Sequence, residues 1–237
     1  MKKYTYSLLL WFLLAAGLTT SSVYAQKLDE VLQSVLGADQ IAEGLKEALK
    51  VGTENVVQIV SKLDGFYKSP DIKIFFPDKL KAAEKLLRTA GFGLLVEEFE
   101  LSMNRAAERS ASEAKDLFWD AITQMTIQDA EKILKGKDNE ATLYFQEKTS
   151  ARLQEIFSPI VTTVMAEVGV TRLYQDLETK VNTFVPLGLF TDFDLNQYVT
   201  EKALEGLFLK LSEEERKIRN DPKARITELL QKVFNKE

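Results

Sequence analysis

The sequence predicts an all-α protein, a single-domain bundle of several helices. Two observations carry this prediction. Apolar residues recur at intervals of three and four along most of the chain, which is the period of an amphipathic helix. Residue pairs typical of capped helix starts also stand at several points. Residues 26–237 contain no repeat, low-complexity tract or long linker, so we expect one domain there.

The first 25 residues have the pattern of a secretory signal peptide. Lys2 and Lys3 precede an uncharged apolar run from Leu8 to Leu18, and the small residue Ala25 stands where a signal peptidase cleaves. The run is roughly half as long as the 20 or so residues that a membrane-spanning helix needs. We therefore expect cleavage after Ala25 and a periplasmic or secreted mature protein without a membrane anchor. An uncleaved anchoring helix is the alternative.

The composition narrows the classes of partner and of chemistry. The chain has 31 Lys and Arg residues against 36 Asp and Glu residues, and its net charge of −5 becomes more negative once Lys2 and Lys3 are removed. An acidic balance argues against nucleic acid as a partner, because phosphates must be neutralised by clustered basic residues. The sequence contains no His and no Cys, so histidine bases, thiolate nucleophiles, disulfides and ordinary zinc sites are excluded.

Calcium is the metal that this composition leaves open, because calcium binds oxygen ligands. Asp192–Asn196 resembles the opening of a helix-loop-helix calcium loop. Gln197 and Ala203 occupy the positions where that loop needs a glycine and a bidentate glutamate. We interpret Asp194 as a helix cap and predict no metal and no cofactor.

The first three helices are predicted by apolar periodicity. Apolar positions from Ile41 to Leu63 share one face of a helix that Asp39 is placed to cap. Two further periodic stretches follow, Leu80–Ala90 and Phe92–Ala107, and Gly91 is predicted to separate them.

Later helix starts are predicted from capping signals. A helix from about Glu140 to Val168 should kink or restart at Ser158-Pro159, because proline removes a backbone donor. Asp221-Pro222 resembles another start, with proline at the first helical position. The capping-box pairs are Ser110 with Glu113, Thr126 with Asp129, and Ser212 with Glu215.

Two stretches depart from the helical period, Asp64–Pro77 and Phe184–Phe193. Ile72-Lys73-Ile74 alternates as a strand does, and Val185–Phe190 could extend beside it. We therefore allow for one very small two-stranded β patch in an otherwise helical fold.

Polar residues inside apolar helices are the main candidate binding residues. Asn104 and Arg105 lie close to the core-facing stripe of their helix. A partly buried guanidinium needs a carboxylate, either from a ligand or from an acid on a neighbouring helix, and the ion pair is the favoured reading. Tyr67, Arg172 and Tyr174, near predicted helix ends, are candidates of the same kind.

Six blocks of sequence occur in a fixed order along the chain. They are Gly44–Leu49, Asp64–Tyr67, Phe99–Glu108, Val168–Arg172, Asp194–Phe208 and Glu213–Phe234, the last containing Arg219-Asn220-Asp221-Pro222. Together they resemble the bacterial family named domain of unknown function 4197, over about Ile41 to Phe234. The resemblance implies an exported, mostly helical envelope protein without an assigned activity, and it implies no catalytic or binding residues.

The sequence leaves the function unknown, and a non-catalytic module that binds an envelope protein or a small ligand is the preferred hypothesis. This hypothesis is based on a group of aromatic residues in a segment without helical period, since exposed loop aromatics often mark binding surfaces. The competing interpretation is that they plug the end of the bundle. These aromatics are Phe66, Tyr67, Phe75 and Phe76.

Two other classes remain open. The first is a periplasmic carrier of an apolar or acyl ligand, and the weaker one is a hydrolase that uses carboxylates and water. The acids between Glu97 and Glu100, and those of Glu213–Glu215, are expected to form solvated helix faces. The residues expected to line a carrier cavity are Phe99, Phe118, Phe145 and Phe157.

Overall fold

Helices form the fold throughout the part of the chain that the computed structural model describes, namely residue 37, residues 39–184 and residues 193–221. These ranges contain no strand, and the predicted all-α class is confirmed. The helices are α1 (39–61), a short 3₁₀ helix (Asp78–Leu80), α2 (Lys81–Thr89), α3 (Gly93–Ala111), α4 (Ala114–Thr123), α5 (Ile127–Lys135), α6 (Glu140–Glu167), α7 (Val170–Phe184) and α8 (Leu195–Asn220).

The core forms where α3, α6 and α8 pack on one another, with α4 and α7 against them. Aromatic side chains fill its centre. The Phe118 ring lies 5.3 Å from the Phe145 ring and 6.2 Å from the Phe208 ring, between centroids. Burying several large rings in contact contributes a large share of the stability of such a core.

The first helices follow the apolar pattern in the main, but Ile41 and Ile59, placed on the buried face of α1, are 48% and 43% exposed. Gly91 separates α2 from α3 as predicted, and its φ of +89° explains why glycine stands there. Asp39 is already helical, so the prediction that it caps α1 is wrong. Leu63 was placed on the buried face but is 72% exposed, because α1 ends at residue 61, before that position.

Of the three predicted capping boxes, the structure contains the one at Thr126 and not those at Ser110 and Ser212. Thr126 starts α5 with a complete capping box, in which its Oγ1 accepts from the Asp129 N–H and the Asp129 carboxylate accepts from the Thr126 N–H. Ser110 lies inside α3, where its hydroxyl donates to the Ala106 carbonyl, and Ser212 lies inside α8. At Ser212 buried residues lie on either side, so core packing carries α8 through the local start signal. Near Ser110, α3 ends at Ala111 and α4 starts at Ala114, so a helix does start there but Ser110 does not cap it.

Three further predictions concern helix ends. Asp194 caps α8 through a bond from the Gln197 N–H, as expected. The helix α6 runs through Pro159 without a restart, because Phe157 and Val161 on either side of it are fully buried in the core. Asp221 ends α8, and the helix start predicted at Asp221-Pro222 lies outside the described residues.

The β patch is absent from the described residues. Ile72 and Ile74 are buried and Lys73 lies between them on the outer side, so the predicted alternation is present. The Ile72 and Lys73 N–H groups donate to the Ser69 carbonyl, and the Ile74 N–H donates to the Asn104 side chain, so these groups are paired without a second strand. The proposed second strand, Val185–Phe190, lies outside the described residues.

Within the same residues, a single helix that is long and apolar enough to cross a membrane does not occur. Taken together, α6 and α7 are long and apolar enough for a broken membrane span, and they are bent by 69° at the break between them.

Candidate functional site

A row of buried polar side chains on α3 faces the irregular segment 62–77, called here the α1–α2 loop. Glu100, Asn104 and Glu108 are spaced four residues apart, which places them on one side of the helix. Their exposed fractions are 7%, 0% and 2%. We call these three residues the polar ladder.

The outer members of the ladder accept hydrogen bonds from the loop backbone. One carboxylate oxygen of Glu108 accepts from the N–H groups of Phe66 and Tyr67, each at 3.1 Å. One oxygen of Glu100 accepts from the Phe76 N–H at 3.0 Å. Backbone groups that the core removes from water therefore regain partners.

Asn104 pairs with the loop as a neighbouring strand would. Its Oδ1 accepts from the Ile74 N–H at 2.9 Å, and its Nδ2 donates to the Ile74 carbonyl at 2.8 Å. The same Nδ2 also donates to the Glu100 carbonyl at 2.7 Å. The side-chain amide thus satisfies both polar groups of one extended residue, which is why the loop needs no partner strand.

Arg105 links the ladder to the start of the loop. Its guanidinium contacts Glu108 at 2.6 Å and Asp64 at 2.7 Å. The expected structural ion pair is present, but the acids lie on the same helix and on the loop rather than on a neighbouring helix. Asp64 has a φ of +68°, and hydrogen bonds from Lys68 and then Arg105 hold the pKa of its carboxyl below the usual value.

The remaining candidate residues are not gathered into one site. Tyr67 is half-buried in the loop, with the Arg105 guanidinium 5.8 Å from its ring centroid. Tyr174 packs against Phe99 with 6.0 Å between ring centroids, and burial raises its pKa to about 12. Arg172 is exposed on α7.

The outer side of the loop borders an open cleft of about 540 Å³, called here the loop cleft. Phe75 and Leu209 stand at this cleft with exposed fractions of 52% and 41%. The Tyr198 hydroxyl donates to the Phe75 carbonyl at 3.1 Å, and burial raises the pKa of Tyr198 to about 12. Charged side chains that line the cleft form ion pairs with one another, for example Asp78 with Lys81.

The loop aromatics thus fulfil both interpretations of the sequence. Phe66 and Phe76 are buried and plug the end of the bundle, with Phe76 packed edge-on against Phe99. Phe75 faces solvent, and Tyr67 is half-buried. One loop therefore fills the core and presents aromatic surface.

A second pair of buried polar residues lies on α8. The Glu215 carboxylate accepts from the N–H groups of Ala141 and Thr142, each at 2.9 Å, and so caps the start of α6. Arg219 donates to the Ile133 carbonyl at the end of α5 at 2.7 Å and to Glu215 at 2.8 Å. This pair joins the end of α5 to the start of α6. We call it the corner pair.

Sequence reasoning missed the roles of three glutamates. Glu100 and Glu215 were expected on solvated faces, and Glu108 was given no role, but all three are buried acceptors. The expectation failed because their partners are backbone groups from distant parts of the chain. For the ladder, the available signal was the spacing of Glu100, Asn104 and Glu108 inside an apolar helix.

Two further cavities lie among the described residues. The apolar groove between α1 and α8 lies next to the corner pair. Its volume is about 30 Å³, which is roughly that of one water molecule. A polar cleft of about 470 Å³ lies between α4 and α6. Groups of three or more acids able to hold a metal ion are absent from the part that was described.

Comparison with known proteins gives a family and no activity. The family described as Protein of unknown function (DUF4197) matches residues 35–235 of the 237. The chain belongs to this family. The matched range includes the α1–α2 loop, the polar ladder and the corner pair, and it agrees with the resemblance seen in the sequence. No curated protein and no solved structure matches the chain.

Proposed function

We propose that this member of the DUF4197 family is a non-catalytic, exported envelope protein that binds a partner protein through the loop cleft, with Phe75 as the central contact. The observation that carries the proposal is the way the polar ladder fixes an irregular loop while Phe75 faces solvent.

The backbone around Phe75 is held on both sides. Ile74 is bonded to Asn104, Phe76 is bonded to Glu100, and the Phe75 carbonyl accepts from Tyr198. An aromatic side chain on a fixed backbone loses little conformational entropy on binding. Large aromatics of this kind are frequent hot spots of protein interfaces.

The packing of the core argues for a surface site over an interior one. A carrier would need the four phenylalanines named from the sequence to surround a cavity. Phe99, Phe118, Phe145 and Phe157 are instead at most 2% exposed, and the first three pack directly against other rings.

The carboxyl groups argue in the same direction against a hydrolase. A carboxyl that acts as a general acid near neutral pH needs a raised pKa. The described carboxyls with a resolved shift have a lowered pKa, because hydrogen bonds to the charged form stabilise it. They are Asp64, Asp71, Asp78 and Asp129.

Export is proposed from the first 25 residues. Mass spectrometry of the N-terminal peptide of the protein recovered from the cell envelope should identify Gln26, as glutamine or as its cyclised pyroglutamate form, as the first residue, because cleavage follows Ala25. A protein that begins at Met1 and fractionates with the cytosol would overturn this part of the proposal.

Partner binding is tested by site-specific photo-crosslinking in living cells. A photoreactive amino acid at Phe75 should give a discrete crosslinked product, and the same amino acid at Leu143 on α6 should not. Leu143 is a matched control because it is 44% exposed and lies outside the loop cleft.

The crosslinked partner is then purified and titrated. The Phe75→Ser variant should bind it about tenfold or more weakly than wild type, as expected for loss of an aromatic hot spot. The Leu143→Ser variant should bind as wild type does. Equal affinities for all three proteins would overturn the proposed interface.

A further inference from the structure

The ammonium group of Lys73 lies within a frame of two aromatic rings and a carboxylate. Its Nζ is 4.5 Å from the Tyr67 ring centroid, 5.2 Å from the Phe75 ring centroid and 3.5 Å from a carboxylate oxygen of Glu100. Aromatic faces combined with a negative charge are the means by which proteins recognise ammonium groups. We call Tyr67, Phe75 and Glu100 the cation frame.

The frame is anchored by hydrogen bonds that do not involve Lys73. The Tyr67 N–H is bonded to Glu108, and the Phe75 carbonyl is bonded to Tyr198. The second oxygen of Glu100 accepts from the Phe76 N–H. These bonds fix the backbone of both aromatic residues and one oxygen of Glu100, which favours the same arrangement when the lysine leaves.

Lys73 itself is a loosely held occupant. The distance of 3.5 Å from its Nζ to Glu100 exceeds the 2.7–2.9 Å or so of a direct charge-assisted hydrogen bond. Its side chain is 21% exposed and lines the loop cleft together with Phe75. A flexible four-carbon stem can carry the ammonium into that cleft, where water solvates it.

We infer that the partner inserts a lysine or arginine side chain into the cation frame and displaces Lys73. This inference rests on the proposed function and names the chemistry that the loop cleft recognises. Lys73 acts as an internal competitor that fills the frame when the partner is absent. The partner's cation then replaces one ammonium by another, so Glu100 never lies buried without a positive neighbour.

The inference predicts that removing Lys73 strengthens cation binding. The probe is the peptide acetyl-Gly-Lys-Gly-amide, with norleucine in place of lysine as the uncharged control peptide. Binding is followed by NMR chemical shifts of the Tyr67 ring and the Phe75 amide. Lys73→Met should bind the lysine peptide about tenfold more tightly than wild type, because the internal competitor is gone.

Two variants control for charge and for folding. Lys46→Met removes a positive charge from α1, outside the loop cleft, where Lys46 pairs with Glu43 and its side chain is 20% exposed, and it should leave the affinity unchanged. Lys73→Gln removes the charge but keeps a polar neighbour for Glu100, and it should reproduce the gain if Lys73→Met folds poorly. Adding Tyr67→Leu to either Lys73 variant should abolish the gain.

Equal peptide affinities for wild type and both Lys73 variants would overturn the inference. Equal binding of the norleucine peptide would overturn it as well. The proposed function is tested separately, because crosslinking at Phe75 uses the wild-type Lys73. A crosslinked partner together with a failed peptide experiment would leave the interface standing and remove the cation frame from it.

Discussion

The polar ladder on α3 and the corner pair on α8 use the same chemistry for different purposes. In both, buried carboxylates of helical glutamates accept from two or more backbone N–H groups. The corner pair completes the ends of two helices beside a groove with room for about one water molecule. The ladder fixes an irregular loop beside a cleft of about 540 Å³. Buried acids alone therefore do not indicate a binding site. The indication comes from the segment they hold, which at the polar ladder is a loop that borders a large cleft.

Removing one glutamate from each cluster should produce the largest effects. Glu108→Ala and Glu215→Ala should each lower the free energy of unfolding by about 3–5 kcal/mol, because each leaves two backbone N–H groups without their acceptor and takes one carboxylate partner from an arginine. Urea unfolding measures this change.

The same two variants should differ in how readily the α1–α2 loop is cleaved by a protease. Trypsin cleavage after the exposed Lys68 should accelerate in Glu108→Ala, because its loop loses two bonds, and should stay near the wild-type rate in Glu215→Ala. Equal protease sensitivity of the two variants would mean that the ladder has no special hold on the loop.

The Asn104→Leu variant tests how much the side-chain amide of Asn104 contributes by pairing with the Ile74 backbone. Leucine has a similar volume but leaves the N–H and the carbonyl of Ile74 unpaired, so the free energy of unfolding should fall by about 2–4 kcal/mol. The same change at Asn55, which is half-buried and bonded to Glu214 at 3.5 Å, is the control and should cost less than about 1 kcal/mol. Similar losses at both positions would refute the pairing role of Asn104.

A smaller effect is expected where a helix start is capped locally. Thr126→Ala should cost about 1 kcal/mol, because the Asp129 N–H loses its acceptor. Ser212→Ala, inside α8, should change stability by less than about 0.5 kcal/mol, since no helix starts there. Thermal unfolding of both variants decides this, and an equal loss would show that Ser212 also caps a helix.

The smallest effect concerns acid stability. The pKa of Asp64 is lowered in the folded protein, so the stability it contributes is present above its unfolded value of 3.8 and is lost as pH falls through the folded value. Asp64→Asn should therefore be less stable than wild type at neutral pH, and the two should converge in strong acid. Urea midpoints across pH 2 to 7, roughly the range that spans both states, measure this. A constant difference down to the lowest pH would contradict the assignment.

The helices were predictable because their signals are local. Thr126 and Asp129 lie within one turn of each other, and the period of apolar residues predicted the core positions of α3. Ser212 misled the same reasoning, because packing against distant residues overrode its local preference. Ser110 lies just before the start of α4 but does not cap it.

The candidate site was predictable only in part. Asn104 and Arg105 were found because polar residues in an apolar helix require partners. The partners themselves, Ile74 and Asp64, lie 30 and 41 positions away, and the local period contains no signal for that separation. The strand-like alternation at Ile72-Lys73-Ile74 was correct as a pattern of burial, whereas the proposed partner strand, Val185–Phe190, lies outside the described residues.

Amide hydrogen exchange tests the central claim most directly. If the polar ladder holds the loop, the amides of Phe66, Tyr67, Ile74 and Phe76 should exchange as slowly as the core of α3, and Glu108→Ala should release the first two selectively. Exchange of all four at the rate of an open loop in the wild-type protein would contradict the account.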